Sequence, residues 1–454
     1  MNKYPYHQLA QVIVELTTPL ALGSGEKDLV TDATVATDCN GLPYLPGTSI
    51  TGVIRSLIGE KESASLFGRQ KSGENESGEG SRIAVSDGKI LNASGEVMDG
   101  LVQPSNIKDD PLLKEYLAGA LPIRDHVRIN EKGVADDKGK FDQQVVYAGT
   151  RFCFELDAIT EEEKNADFDK VIETLCLGAF RLGGGTRNGF GSVKVVDLQT
   201  KTIGPENIDE YLEKSSRLGS DFWSKELHCH ETAATADWDR YRLELVPADF
   251  ILFGSGLTDE DFAMTAVKEH TVVWKGREGS LRDDAECYFI PGTSVKGAVS
   301  HRVAYHWNKM TGHYAGHPNV KCGTENKAVR GLFGYVDENN ARRGNVIFSD
   351  TFLADNELVE CSNPHVAIDR FTGGTIDSAL YTEKNIYAGG QTISIEILAK
   401  KSVLDKPEDK GIALREPFEA ALKDICMGLL PLGGGVNRGN GIFTGKLFRN
   451  EEVI

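Results

Sequence analysis

The sequence predicts an α+β fold built twice in tandem. Three observations predict it: YLPGTSITGVIR (residues 44–55) returns as FIPGTSVKGAVSHR (residues 289–302), the flanking motifs return in the same order, and strand-like and helix-like periods alternate within each copy. An ordered series of matches is far harder to obtain by chance than any single match. VIVELTTPLALGSG (12–25) pairs with RLELVPADFILFGSG (242–256), and Leu66-Phe67-Gly68 with Leu332-Phe333-Gly334. RIAVSD (82–87) then pairs with NVIFSD (345–350), and VVYAGTRFCFEL (145–156) with NIYAGGQTISIEI (385–397). Each copy closes on a glycine cluster, LGGGTRNGFGSV (182–193) and LGGGVNRGNGIF (432–443).

The elements follow in order. Val12, Val14 and Leu16 alternate with other residues, as do Leu243 and Leu245, which predicts an opening strand with one buried face. Gly23-Ser24-Gly25 and Gly254-Ser255-Gly256 end those strands. After the Pro-Gly turn, Thr48 or Ser49 is placed to cap a helix whose apolar face is Ile50, Val53, Ile54, Leu57 and Ile58; Val295, Ala298, Val299 and Val303 repeat that face. Residues 82–85, 151–156, 345–348 and 392–397 have strand composition. Helical patterns over 171–180 and 418–429, the second with Pro417 in its first turn, lead into the glycine clusters. A ferredoxin-like domain is the most economical small fold for this order. The expected units are residues 1–200 and 238–454, joined by a linker over 201–237, with a mobile glycine-rich and acidic loop at 71–81.

A chain of 454 residues is long enough for two such cores. The sequence has neither a leader pattern nor an apolar run near the roughly 20 residues that cross a bilayer, so a soluble, cytoplasmic protein without a membrane partner is expected. Its eight cysteines form no CxxC pair and read as reduced structural thiols. The net charge of −18 argues against nucleic acid, yet much of the acid lies outside the repeated motifs. Basic residues gather in and beside them: Arg55, Arg69, Arg82, Arg124, Arg128, Arg181 and Arg187 in the first copy, then Lys296, Arg302, Arg330, Arg342, Arg343, Arg370 and Arg438 in the second. A locally basic groove on an acidic body is compatible with that pattern.

Two features are candidates for ligand chemistry. Gly183, Gly184 and Gly185, and likewise Gly433, Gly434 and Gly435, can bring backbone N–H groups close to a sugar-phosphate chain, with Arg187 and Arg438 beside them. Neither cluster ends in the Gly-Lys-Ser/Thr of a nucleotide-binding loop. The helix starts, Thr48-Ser49 and Thr293-Ser294, offer hydroxyls and N–H groups to one phosphate, although ordinary capping accounts for them equally well.

With these motifs in place, the sequence resembles the RAMP superfamily of CRISPR-associated proteins, and specifically the backbone subunits of type III effector complexes. A chain with two units resembles a fused, type III-D-like backbone subunit. The resemblance implies a modified RNA-recognition-motif fold in each copy, stacking on a guide RNA, and β-hairpin thumb insertions at 125–149 and 365–390. It implies guide RNA (crRNA), target RNA and other CRISPR effector subunits as partners. Expected RNA contacts are Thr48, Ser49, Arg55, Gly183 to Gly185, Arg187, Thr293, Ser294, Lys296, Arg370, Gly433 to Gly435 and Arg438. In that family an aspartate shortly before the Pro-Gly motif cuts target RNA. TDATVATDCNGLPYLPG puts Asp32 there, as the expected catalytic residue and ligand of a divalent ion, Mg²⁺, with Glu26, Asp28 and Asp38 nearby. KEHTVVWKG (268–276) is the local counterpart in the second copy; it puts His270 at that place as a second candidate catalytic residue, and RNA binding without efficient cutting is expected there. The alternatives are a noncatalytic backbone subunit and an endoribonuclease that processes precursor guide RNA. Zinc at His301, His306, His313, His317 and Cys322, or at His228-Cys229-His230, is a lesser reading than ordinary structural histidines.

Overall fold

The computed structural model describes the chain outside residues 1–2, 26–30, 70–77, 118, 120, 131–132, 228–236, 257–261, 283–285, 315, 319, 338–339 and 355–357. The first unit runs through β1 (Tyr6–Leu16), α1 (Gly47–Ile58), β2 (Ile83–Val85), β3 (Arg151–Thr160), α2 (Ala166–Leu175) and β4 (Val193–Ile203). The second runs through β5 (Trp238–Pro247), α3 (Gly292–Met310), β6 (Val346–Phe348), β7 (Ile393–Lys400), α4 (Arg415–Cys426) and β8 (Phe443–Arg449). Both sheets pair antiparallel and in the same spatial order, β2-β3-β1-β4 and β6-β7-β5-β8. Duplicated motifs have therefore become duplicated elements, and the α+β prediction holds.

The helices bury the predicted faces. Ile50 and Ile54 of α1, and Val295, Val299 and Val303 of α3, lie in the cores, where each contributes roughly 1.5–3 kcal/mol by leaving water. Asn165 caps α2, its side chain accepting from the Phe168 N–H at 2.9 Å. The starts of α1 and α3 differ from the expectation. Neither has a side-chain cap of its own; the aspartates ending RIAVSD and NVIFSD serve instead. Asp87 Oδ1 accepts from the Gly47 N–H at 2.9 Å, and Asp350 Oδ1 from the Gly292 N–H at 2.8 Å. Glycine is required at Gly47 because a Cβ there would collide with the Val85 carbonyl oxygen. The repeated Pro-Gly-Thr-Ser thus docks a helix start onto the end of β2 or β6.

The described part of the expected linker up to residue 227 packs on the first unit, and residues 228–236 lie outside the described residues. β4 continues to Ile203, past the boundary at 200, and the chain then folds back over the outer face of the sheet. Leu218 packs with Ile13, Trp223 packs with Leu9 and Ile203, and Gln11 Nε2 donates to the Leu218 carbonyl at 2.7 Å. β1 is consequently buried on both faces, whereas β5 keeps the one-sided alternation.

A long hairpin enters each unit between the second and third strands. It comprises Ile123–Ile129 with Ala135–Gln144 in the first unit, and Val359–Ile368 with Thr375–Tyr387 in the second. Most of the expected loop at 71–81 lies outside the described residues.

Candidate nucleic-acid interface

Asp32 sits where the loop after β1 meets the base of the first hairpin. Gly23 bridges Val35, and the Ser24 and Thr34 hydroxyls lie 2.8 Å apart. The Asp32 N–H donates to Asp142 Oδ1 at 2.8 Å, and the Asp142 N–H donates to Asp32 Oδ2 at 3.4 Å. The main-chain N–H of each aspartate thereby meets the carboxylate of the other, with Asp32 exposed. Sequence reasoning missed Asp142. Its signal is its place on the returning hairpin strand opposite Asp125, which requires the register. Asp38 is folded into its own turn, accepting from the Asn40 N–H at 2.8 Å and the Leu42 N–H at 3.2 Å; Glu26 and Asp28 lie outside the described residues.

The second unit repeats this geometry without the acids. Gly254 bridges Ala266, and the Ser255 and Thr265 hydroxyls lie 2.9 Å apart, so Thr265 takes the place of Thr34 and Ala263 that of Asp32. The Ala263 N–H donates to the Thr382 carbonyl at 2.9 Å, and Thr382 stands as far before Tyr387 as Asp142 stands before Tyr147. The register that gave His270 the place of Asp32 is corrected. An inserted hairpin, Val272–Lys275 with Glu278–Leu281, shifts the spacing to the Pro-Gly motif, and His270 is exposed beside it.

Magnesium binds through one or two carboxylates together with phosphate oxygens and water, and the Asp32–Asp142 donor set fits that chemistry. Among the described residues no three His, Cys, Asp or Glu side chains gather as a metal site. His306 is buried and its Nε2 lies 2.7 Å from Asp424 Oδ2, while the His313 and His317 rings stand 4.9 Å apart. His301 is exposed, as is Cys322, and His228-Cys229-His230 lies outside the described residues.

The glycine clusters close on their own chain. The Gly184 N–H donates to the Ala21 carbonyl at 2.7 Å and the Gly434 N–H to the Leu252 carbonyl at 2.6 Å. A Cβ on Gly183 or Gly433 would lie 2.5 Å from those same carbonyls, and both residues have positive φ. One N–H per cluster is thereby committed to the turn, while Gly185 and Gly433 remain exposed.

Much of the expected basic groove is spent on the seam between the units. Arg124 bonds Glu269 and, at 2.8 Å, Asp350 of the second unit; burial opposes its charge, yet the two carboxylates hold its pKa above the ordinary value. Burial pushes Glu269 up to about 6 against the pull of Arg124. Lys296 donates to Asn188 Oδ1 at 2.7 Å, and burial, helped by Arg187, pushes it down to about 8. Arg187 reaches the Gly344 carbonyl at 3.2 Å, and burial beside Arg343 and Arg181 lowers its pKa. Arg181 is buried and donates to Ser349 Oγ at 2.7 Å. The inserted hairpin adds a strap: Trp274 Nε1 donates to the Gly149 carbonyl at 2.7 Å, and Arg151 lies over the indole at 4.3 Å. Arg187 and Lys296 are thus corrected from free RNA contacts to seam residues.

Other cations and hydroxyls face solvent. Arg370 at the second hairpin turn, Arg128 on the first hairpin, Thr48, Ser49 and Ser294 are exposed, and Arg55 and Thr293 are half-buried. Arg438 is exposed and ion-paired with the buried Glu383. The hairpins also carry bare apolar side chains: Val127 and Ile129 on the first, and Ile368, Phe371 and Leu380 on the second.

Two copies of one sheet order, each with a glycine loop and a projecting hairpin, agree with a family model that matches residues 13–194 and 273–444, the RAMP superfamily. The chain belongs to the RAMP superfamily. That membership brings a CRISPR association and RNA binding with it. No curated protein matches the chain. No helix among the described residues of this RAMP protein is long and apolar enough to cross a membrane.

Proposed function

We propose that this RAMP protein is a guide-RNA-binding backbone subunit of a type III CRISPR ribonucleoprotein, built from two ferredoxin-like units, that cuts guide-complementary target RNA at its first unit. The observation that carries this reading is the Asp32–Asp142 pair, matched in the second unit by Ala263 and Thr382. A magnesium ion held by Asp32 and Asp142 would supply stabilisation of the charge that develops on the scissile phosphate. Asp142 orients Asp32 through its main chain, and the loop pinned by Ser24 and Thr34 fixes the pair beside the hairpin. The hairpins offer apolar side chains to bases, while Arg128 and Arg370 offer charge to phosphates. Shape and backbone contacts of this kind leave sequence recognition to base pairing. The second unit binds without cutting.

The test is purification of the native assembly, identification of the RNA it carries, and incubation with a labelled complementary RNA in Mg²⁺ or EDTA. A Mg²⁺-dependent cut absent from Asp32→Ala, with unchanged RNA binding, is the expected result. A nucleic-acid-free assembly, or cutting undiminished in EDTA, overturns the reading.

A further inference from the structure

Four cations gather at the seam and bond only neutral oxygens among the described residues. Arg181 donates to Ser349 Oγ at 2.7 Å, Arg187 to the Gly344 carbonyl at 3.2 Å, Lys296 to Asn188 Oδ1 at 2.7 Å and Arg343 to Thr186 Oγ1 at 2.7 Å. Thr186 Oγ1 also accepts from Arg187 Nη1 at 3.2 Å, so two guanidiniums converge on one buried hydroxyl. Arg181 lies deepest. It is 5% exposed, and its Nε and Nη1 atoms have no partner among the described residues. Glu396 and Asp350 act on it from a distance, but they bond Arg240 and Arg124. Burial lowers the pKa of Arg181 to about 10, and burial together with Arg343 and Arg181 lowers that of Arg187 to about 9. Lys296 stands in the first turn of α3, where the helix dipole adds to the positive potential.

Like charges brought together out of water without a counter-ion are strongly unfavourable. The chain has 68 acidic residues against 50 basic ones, so this cluster runs against a surplus of carboxylates. Nor does it recur in the repeat. In the register of the glycine clusters, the Pro-Gly motifs and RIAVSD with NVIFSD, Arg181 answers to Pro431, Arg187 to Asn437, Lys296 to Thr51 and Arg343 to Gly80. A surface that tracks a polymer through two similar units would place its cations in both. A cluster made once, from both sides of one seam and reaching down to a buried guanidinium, suits one compact anion.

We infer that the seam binds a single inorganic oxyanion of the phosphate class, held by Arg181, Arg187, Lys296 and Arg343, as a counter-ion that locks the two units together. Its negative charge answers the four cations, and its oxygens accept the Arg181 N–H groups that the protein leaves unpartnered. Arg343 is exposed, so the cluster opens to solvent on that side and a small anion can enter. The inference does not depend on the chain binding or cutting RNA.

The test is thermal melting of the full chain, freed of nucleic acid, in chloride buffers of equal ionic strength with increasing inorganic phosphate. A ligand that binds only the folded state raises the melting temperature with the logarithm of its concentration above the dissociation constant. That rise is expected for the native chain and is expected to vanish in Arg181→Met. In phosphate-free chloride this variant should melt no lower than the native chain, because it removes an unpartnered buried charge. Arg343→Gln, at an exposed position, keeps the test open if the buried variant fails to fold, and it should weaken the response to phosphate. A labelled single-stranded RNA titrated in parallel should bind both variants as it binds the native chain. No rise beyond that in chloride, a rise that survives both substitutions, or an Arg181→Met chain that folds but melts lower in chloride overturns the inference. RNA that abolishes the phosphate response, or variants that bind RNA more weakly, would give the cations to a nucleic-acid phosphate; that result also overturns the inference, while leaving the proposed function intact.

Discussion

Asp87 and Asp350 hold one position in the repeat and are loaded differently, so equal substitutions have unequal costs. Asp87→Ala removes an exposed acceptor from the Gly47 N–H, a loss of about 1 kcal/mol. Asp350→Ala also strips a partner from the buried Arg124, and its expected cost is about 3 kcal/mol. Urea unfolding of the two variants measures the difference, and equal midpoints would contradict the assignment of Asp350 to the seam. Glu269 supplies a pH dependence. Burial raises its folded pKa to about 6 from 4.5, so the folded chain holds this proton more tightly than the unfolded chain. The stability it contributes is present below the lower value and is lost as pH rises through the upper one, a change of about 2 kcal/mol. Thermal melts should therefore show the stability of the native chain relative to Glu269→Gln falling as pH rises between these values, and parallel curves or a rise would count against it.

The elements show what the residues alone could and could not disclose. Period and punctuation are enough for α1, α3 and the central strands, which obey local rules of burial and turn chemistry; the helix expected at 171–180 instead begins at Ala166, where Asn165 caps it, and ends at Leu175, and the closing strands at Val193–Ile203 and Phe443–Arg449 carry no residue-level expectation. The expected linker at 201–237 shows no local period because Leu218 and Trp223 are isolated apolar residues whose partners, Ile13 and Leu9, lie across the sheet. The motif before the Pro-Gly turn singles out Asp32 as a candidate, whereas its contact with Asp142 depends on hairpin register, and the inserted hairpin alters the spacing that aligned His270 with Asp32. The basic residues were counted correctly and their destination was not, since sequence gives no sign of which arginines a second unit will cover. The hairpins themselves carry a prediction. Phe371 is 98% exposed and neighbours Arg370, an arrangement suited to a base step and its phosphate rather than to a core. Phe371→Ala should lower affinity for a guide–target duplex by about 1–3 kcal/mol with no change in melting temperature. A filter-binding or anisotropy titration decides it, and unchanged affinity would remove the hairpin tip from the RNA interface.

At the scale of the molecule, duplication has given one chain two similar bodies with divided roles. The first keeps a pair of carboxylates at the hairpin base; the second keeps the fold of that corner with alanine and threonine. The seam, sealed by Arg124 and the Trp274 hairpin, fixes the corner with the two aspartates and the corner without them in a single body, so the proposed function predicts cuts once per chain and not once per unit. The most direct measurement is a product map of labelled complementary RNA cut by the assembled native chain, by Asp32→Ala and by Asp142→Asn, each with its RNA affinity measured alongside. One cut per chain, lost in both variants at unchanged affinity, is the predicted result; a cut that persists in both would contradict an active pair in the first unit.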